Sequence, residues 1–122
     1  MKAKRRRLSR SGEFDRVYRD GSSSATRHLV LYSFPRERGE EAGVRLGVSA
    51  SRKIGSAVDR NRVKRVLREA FWELSERLPP DHDFVLVARP EIGALIEREG
   101  AGGVRTNIEE ALAGTSAAGR ST

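Results

Sequence analysis

Between residues 44 and 88 the sequence leaves the chain few choices of fold. Val44, Leu46, Val48 and Ala50 alternate with Arg45, Gly47, Ser49 and Ser51, the period of two that marks a strand with one buried face. The other face is small or basic, and it stays available to a ligand. Val63, Val66, Leu67, Ala70, Phe71, Leu74 and Leu78 then fall on one broad stripe of a helix that advances about 100° per residue. Ser56 and Asp59, three apart, predict a capping box that opens this helix at residue 57, and Pro79-Pro80 ends it at residue 78. Residues 84–88, Phe-Val-Leu-Val-Ala, are an unbroken apolar run of the kind found in a strand covered on both faces. Strand, long helix and strand make a βαβ unit, and the fold class is α/β: a small mixed sheet packed with helices.

The flanking sequence supplies the remaining pieces. Ser11 and Glu13 mark a helix start, and Phe14, Val17 and Tyr18 recur at i, i+3 and i+4, which predicts a short helix over residues 12–19 ended near Gly21. Residues 21–24 read as a turn. Residues 28–34 alternate Val30, Tyr32 and Phe34 against Leu29, Leu31 and Ser33, a strand with apolar character on both sides. Residues 35–43 are charged and contain Gly39, so they read as a surface loop. In the C-terminal third, residues 91–96 could make one or two helical turns, residues 100–103 read as a flexible glycine-rich break, and Val104, Ile108 and Leu112 line a last helix. With 122 residues there is room for one core. The organisation expected is a basic arm over 1–10, one globular domain over 11–113, and a disordered polar tail over 114–122.

The charge is unevenly placed. The chain carries a formal +7, yet residues 1–10 alone hold +6 and residues 52–68 another +6, which leaves the rest at −5. Two basic segments on an acidic body point to a polyanion-binding face. There is no cysteine, which removes disulfides and thiolate metal sites and suits a reducing compartment. No apolar run approaches the roughly 20 residues that span a bilayer, and the N-terminus lacks a signal-peptide apolar core. The expectation is a cytoplasmic protein with no membrane partner.

The long helix sorts its charges as well as its apolar residues. Arg60, Lys64 and Arg68 lie at i, i+4 and i+8, and Asn61 and Arg65 widen that row to an arc of roughly 140° beside the core stripe. Glu69, Glu73 and Glu76 take the remaining side. Arg65 and Glu69 have the spacing of an ion pair, but Arg60, Lys64 and Arg68 have no acid four residues on. Guanidinium forks hold phosphates through paired hydrogen bonds, and asparagine offers both a donor and an acceptor, so the row favours a folded phosphate backbone.

The order Arg60-Asn61-Arg62-x-Lys64-Arg65-x-x-Arg68-Glu69, preceded by Ser51-Arg52-Lys53-Ile54-Gly55-x-Ala57-Val58 and by Arg7-Leu8 leading to Phe14 and Tyr18, resembles the protein subunit of bacterial ribonuclease P. The matching segments cover roughly residues 5–90. The resemblance implies an α/β (α+β) sandwich whose βαβ crossover is left-handed, the rare hand. It implies a partner, the family's catalytic RNA, and a substrate, precursor tRNA, whose 5′ leader is removed by metal-assisted hydrolysis. The RNA would carry the chemistry with Mg2+ that it mainly binds itself; the resemblance assigns the protein no catalytic residue and names no protein ligand for the metal. Arg52, Lys53, Arg60, Asn61, Arg62, Lys64, Arg65 and Arg68 would face the catalytic RNA and help position metal ions. Phe14, Tyr18 and Tyr32 match the positions of a cleft that holds the single-stranded leader, where aromatic rings offer stacking platforms. The glycine-rich stretch near Gly100 departs from the continuous final helix the resemblance implies, and Trp72 receives no role.

Other readings are weaker or remain open. Metal-free RNA cleavage wants two positioned acid/base groups, and the chain has only His28 in a strand and His82 in a loop. Glu37, Glu40 and Glu41 read as a solvating patch, not a metal site. A DNA reader is disfavoured because the basic helix seats one side on a sheet instead of entering a groove. A non-catalytic, ribosomal-type protein that binds structured RNA is the alternative the charge pattern allows.

Overall fold

The computed structural model describes residues 5–8, 11–36 and 43–115. The strand predicted from the unbroken apolar run sits at the centre of everything else. Five strands, β1 (Arg5–Arg7), β2 (Ser22–Ala25), β3 (Leu29–Pro35), β4 (Val44–Ser49) and β5 (His82–Ala88), form one mixed sheet in the order β1-β4-β5-β3-β2. β4 is parallel to both β1 and β5, whereas β3 is antiparallel to both β5 and β2. The α-helices are α1 (Ser11–Asp20), α2 (Ala57–Trp72) and α3 (Ile92–Ala113). The expected βαβ unit is β4-α2-β5, and the mixed sheet packed with helices is the architecture observed.

Each face of the sheet has its own apolar cluster. On one side Leu29, Leu31, Val44, Leu46, Phe84 and Leu86 meet Val63, Leu67 and Phe71 of α2 and Ile92, Leu95, Val104 and Ile108 of α3. On the other, Val85 meets Val17 of α1 and Leu8, with Phe14, Tyr32, Phe34 and Val87 packed around them. β5 thus sends Phe84 and Leu86 one way and Val85 and Val87 the other, as a strand covered on both faces must.

Several elements differ from expectation, each for a local reason. Residues 21–24 are not simply a turn: β2 pairs with β3 through Ser22↔Ser33 to Ala25↔Val30, and the Ser22 and Ser33 hydroxyls lie 3.0 Å apart in a hydrogen bond. An edge strand held by backbone pairing needs no apolar alternation, so residues 22–25 carry no period to detect. Arg5–Arg7, expected as part of an arm, pair with Val44–Leu46 as β1. α2 closes at Trp72 and tightens into a 3-10 turn, Ser75–Arg77, with Arg77 N–H donating to Leu74 C=O at 2.9 Å. That turn still buries Leu74 and Leu78, so the apolar stripe outlasts the α-helix. The expected four-residue break near Gly100 is one residue: Gly100 has φ 64° and ψ −156°, and the helix resumes at once. Only glycine takes such a conformation cheaply. His82, expected in a loop, is the buried first residue of β5. Of the expected tail, Thr115 is buried and its hydroxyl donates to Leu112 C=O, while 116–122, like the Glu37, Glu40 and Glu41 patch, lie outside the described residues.

The α1 face also holds a buried charge. Asp83 is 0% exposed. Arg45 grips both its oxygens, through Nε to Oδ1 and Nη2 to Oδ2, each at 2.7 Å. Arg36 donates to Oδ1 at 2.5 Å and Arg16 to Oδ2 at 3.3 Å. Arg36 also donates to Gly43 C=O, and Arg45 reaches Glu13 of α1. Burial alone would raise the Asp83 carboxyl, but hydrogen bonds and charge from Arg45 and Arg36 outweigh it and leave its pKa lowered. Removing one partner from such a buried cluster strands the others.

Asp83→Asn is therefore expected to cost about 3–5 kcal/mol of unfolding free energy at neutral pH, measured by urea denaturation. Because the folded pKa is depressed, the carboxylate's stabilisation is complete above the unfolded value and lost as pH falls through the folded one. The difference between parent and variant should accordingly shrink in strong acid.

Candidate nucleic-acid interface

α2 begins as its sequence requires. Ser56 accepts a hydrogen bond from Asp59 N–H at 3.2 Å and its own N–H donates to Asp59 Oδ2 at 3.1 Å, which is the predicted capping box. The helix seats Val63, Leu67, Ala70 and Phe71 in the core. It lies over β4 and β5, while α3 covers β3 and β2 and flanks α2 on one side. Arg60, Lys64 and Arg68 are half-buried along the opposite flank, with Asn61 and Arg65 exposed beside them. The row therefore faces away from α3, toward the edge of the sheet formed by β4 and β1.

Arg62 does not join that row. At 200° from Arg60 it lies on the α3 side, where it lines a cavity of about 250 Å³ with Ile54, Asp59, Gly93, Ile96 and Glu97. Arg52 and Lys53 sit exposed on a 3-10 turn, Arg52–Ile54, capped by Ser51, whose hydroxyl accepts from Lys53 N–H at 3.3 Å. This turn packs on α2 and extends its basic surface.

The charge pairing separates this surface from the rest. Glu73, the residue that caps the end of α2, pairs with Arg105 of α3 at 3.4 Å, and Arg77 pairs with Glu109 of α3. Among the described residues, no salt bridge forms to Arg52, Lys53, Arg60, Arg62, Lys64, Arg65 or Arg68. The Arg65–Glu69 spacing is not closed into a pair. Val58, an apolar residue 76% exposed, stands three residues before Asn61 and seven before Arg65, on their side of the helix. It lies off the apolar stripe that begins at Val63, and that helical position is the signal that could have marked it as exposed.

A second surface lies on the opposite face of the sheet. The register puts Gly47, Val85 and Tyr32 in one cross-strand row and Ser49, Val87 and Val30 in the next. α1 lies over the first of these. Phe14 packs directly on Gly47, where an added Cβ would come within 2.4 Å of its ring. Tyr18 is 40% exposed and meets Tyr32 edge to face at 4.9 Å, with Phe14 6.3 Å away on its other side. Burial, the largest effect, raises the Tyr18 hydroxyl pKa, opposed by a hydrogen bond with Ser49. The three aromatic positions taken from sequence are thus brought together, with Ser49, Val87 and Val30 half-buried beyond the helix as the floor of a groove. The polar face of β4, expected to be wholly available, is not: Arg45 is committed to Asp83 and Glu13, Gly47 lies under Phe14, and Ser49 remains.

The histidines cannot act together. His28 Nδ1 bonds Asn107 Oδ1 at 3.1 Å, and His82 Nδ1 bonds Pro80 C=O at 2.9 Å. They sit at opposite ends of the β3–β5 ladder, seven strand steps or roughly 23 Å apart. Trp72 packs edge to face on Phe71 at 5.1 Å and serves the core.

A family model described as Ribonuclease P matches residues 1–109. The ribonuclease P protein component of Shouchella clausii is 42% identical over 109 residues, covering 89% of this chain and 84% of that protein. The corresponding protein of Bacillus velezensis is 46% identical over 92 residues, 75% of this chain and 77% of its own. Among solved structures, the RNase P protein of Staphylococcus aureus superposes with a TM-score of 0.72 at 30% identity, covering 87% of this chain and 91% of that one. That of Thermotoga maritima gives 0.73 at 27% identity, with 85% and 92% covered.

Gly47→Ala should push the Phe14 ring off the sheet, since Leu8 Cβ, at 3.2 Å from the added methyl, blocks the other way out. Overpacking of this kind costs about 1–3 kcal/mol. Thermal unfolding gives the loss, and the Tyr18 and Tyr32 ring resonances should shift with it.

Proposed function

The chain belongs to the ribonuclease P protein component family, and from that membership we propose how its two surfaces divide the work of the endonuclease of which such proteins are part. The basic flank of α2, with Arg52 and Lys53, docks on the catalytic RNA. The groove of Phe14, Tyr18 and Tyr32 holds the 5′ leader of precursor tRNA. The RNA carries the phosphodiester hydrolysis, and the protein contributes no acid, base or nucleophile.

The observation that supports the docking face most directly is the row of cations that, among the described residues, has no carboxylate partner, although Glu73 and Arg77 beyond it are paired to α3. An unpaired row of this density is repulsive within itself, and an RNA backbone relieves that repulsion while releasing condensed counterions. The groove has the complementary character. Its rings present apolar faces, to which Tyr18 and Tyr32 add polar tips, and this suits unpaired bases without demanding one sequence.

Mg2+, which this hydrolysis would use, does not fit the α2 row as a ligand set. Its side chains are cationic apart from Asn61, whereas Mg2+ takes oxygen ligands, carboxylates foremost. The protein's part is therefore to hold RNA phosphates. The ribosomal-type alternative gains nothing from the relatives, which are ribonuclease P proteins.

Arg60→Ala and Arg65→Ala should each weaken RNA binding and flatten its log–log salt dependence by roughly 0.7 to 0.9 per lost phosphate contact, while Arg62→Ala, on the α3 side, should change the slope less. Unchanged slopes for Arg60 and Arg65 would remove the docking face. Precursor tRNA cleavage should be absent with protein alone, present with the catalytic RNA alone at high magnesium, and restored at low magnesium by adding protein. Cleavage by the protein alone would overturn the division of labour.

A further inference from the structure

We propose that Glu13 and Arg16 are positioning residues for the groove: their ion pairs to the Asp83 cluster fix the roll of α1 on the sheet and so hold the Phe14 and Tyr18 rings ready for the leader. The inference rests on the leader-groove reading above and adds the device that sets its geometry.

α1 buries little of its own apolar surface completely. Of its ten residues only Val17 is buried. Burial of apolar area is non-directional, so Val17, with Phe14 half-buried beside it on Gly47, seats this short helix without by itself fixing its roll. Directional bonds must fix the roll instead. On the helix projection Arg16 and Glu13 flank Val17 on one side, and Phe14 and Tyr18 flank it on the other. The side opposite the rings is the side that carries the ion pairs. Arg16 reaches Asp83 of β5 at 3.3 Å and lies 4.7 Å over the Phe34 ring of β3, while Glu13 binds Arg45 of β4. α1 is thus fastened to three strands by charge along this flank, while Tyr18 meets Ser49 and Tyr32 from the other.

The anchors on the sheet are rigid. Asp83 is fully buried, the Arg45 side chain is 11% exposed, and Arg36 holds Asp83 from the far side while donating to Gly43 C=O. The α1 partners are softer, with side chains 23% exposed at Glu13 and 31% at Arg16. They can be altered while the Arg36–Asp83–Arg45 core stays paired. A roll of α1 that releases these two pairs must also move Tyr18 against Tyr32 and Ser49, because the rings sit on the same helix across the Val17 pivot.

The test uses the holoenzyme reconstituted with Glu13→Gln, Arg16→Gln or both, with Arg16→Lys as the variant that keeps the charge. Precursor tRNA with and without its leader is compared, and amide hydrogen exchange of α1 and β5 is followed on the protein. For the double variant the expected result is a KM rise of roughly tenfold, the factor that about 1.4 kcal/mol represents, on leader-bearing substrate only. kcat should be unchanged, α1 exchange faster, β5 exchange unaltered, and Arg16→Lys should restore most of the loss. Equal losses on both substrates, or faster α1 exchange with no change in leader discrimination, would overturn the proposal. Tyr18→Ala runs alongside as the control on the groove itself: if it too leaves discrimination unchanged, the leader reading has failed, and with it the premise of the clamp.

Discussion

β5 is buried on both faces, and nearly every other feature of the molecule answers to that constraint. A strand so placed must have packing partners above and below, so α2 and α3 are drawn to one side and α1 to the other. It must also have neighbours on both edges, which β4 and β3 supply from opposite directions. The one charge it carries inside, Asp83, then needs partners where no water reaches, and arginines from α1, β4 and the end of β3 converge on it. The apolar half of β5 organises the layers, and its single acid organises their alignment.

That arrangement keeps the two interaction surfaces apart. The basic flank of α2 and the aromatic groove under α1 stand on opposite faces of one sheet and meet only around its β4–β1 edge. Each uses a different physical principle. The flank relies on long-range charge, which tolerates flexible side chains and a partner of variable local shape. The groove relies on contact between rings, which fails if the rings move by an ångström or so. It is consistent with this difference that ion pairs absent from the α2 row are concentrated beneath α1.

How much of this could be read from the residues depended on whether a periodic pattern was involved. The alternation of Val44 to Ala50 and the stripe from Val63 to Leu78 repeat often enough to be recognised, and the capping box of Ser56 and Asp59 has a fixed spacing. The basic row was visible for the same reason, although Arg62, inside the motif by position, projects to the other flank. What stayed hidden was set by tertiary context. β2 and β1 are edge strands made of serines and arginines, and their backbone pairing leaves no trace in side-chain hydropathy. Asp83 is one acid before an apolar run, and nothing local announces that Arg16, Arg36 and Arg45 will meet it from 67, 47 and 38 residues away. Gly100 looked like the centre of a flexible stretch because four small residues cluster there, whereas a single positive φ suffices to bend the helix.

The strand at the middle of the sheet is also the last in order among the described residues. β1, β2, β3 and β4 are all made before β5, yet β4 and β3 are not neighbours and can be joined only through it. A nascent chain therefore carries two unconnected halves, the β2–β3 hairpin and the β1–β4 pair, each with an exposed edge, until residue 88 has left the ribosome. The basic helix emerges during that interval, between the strand that precedes it and the strand that will complete the sheet. The assembly of this sheet consequently waits on one seven-residue segment, which converts two open ladders into a closed core.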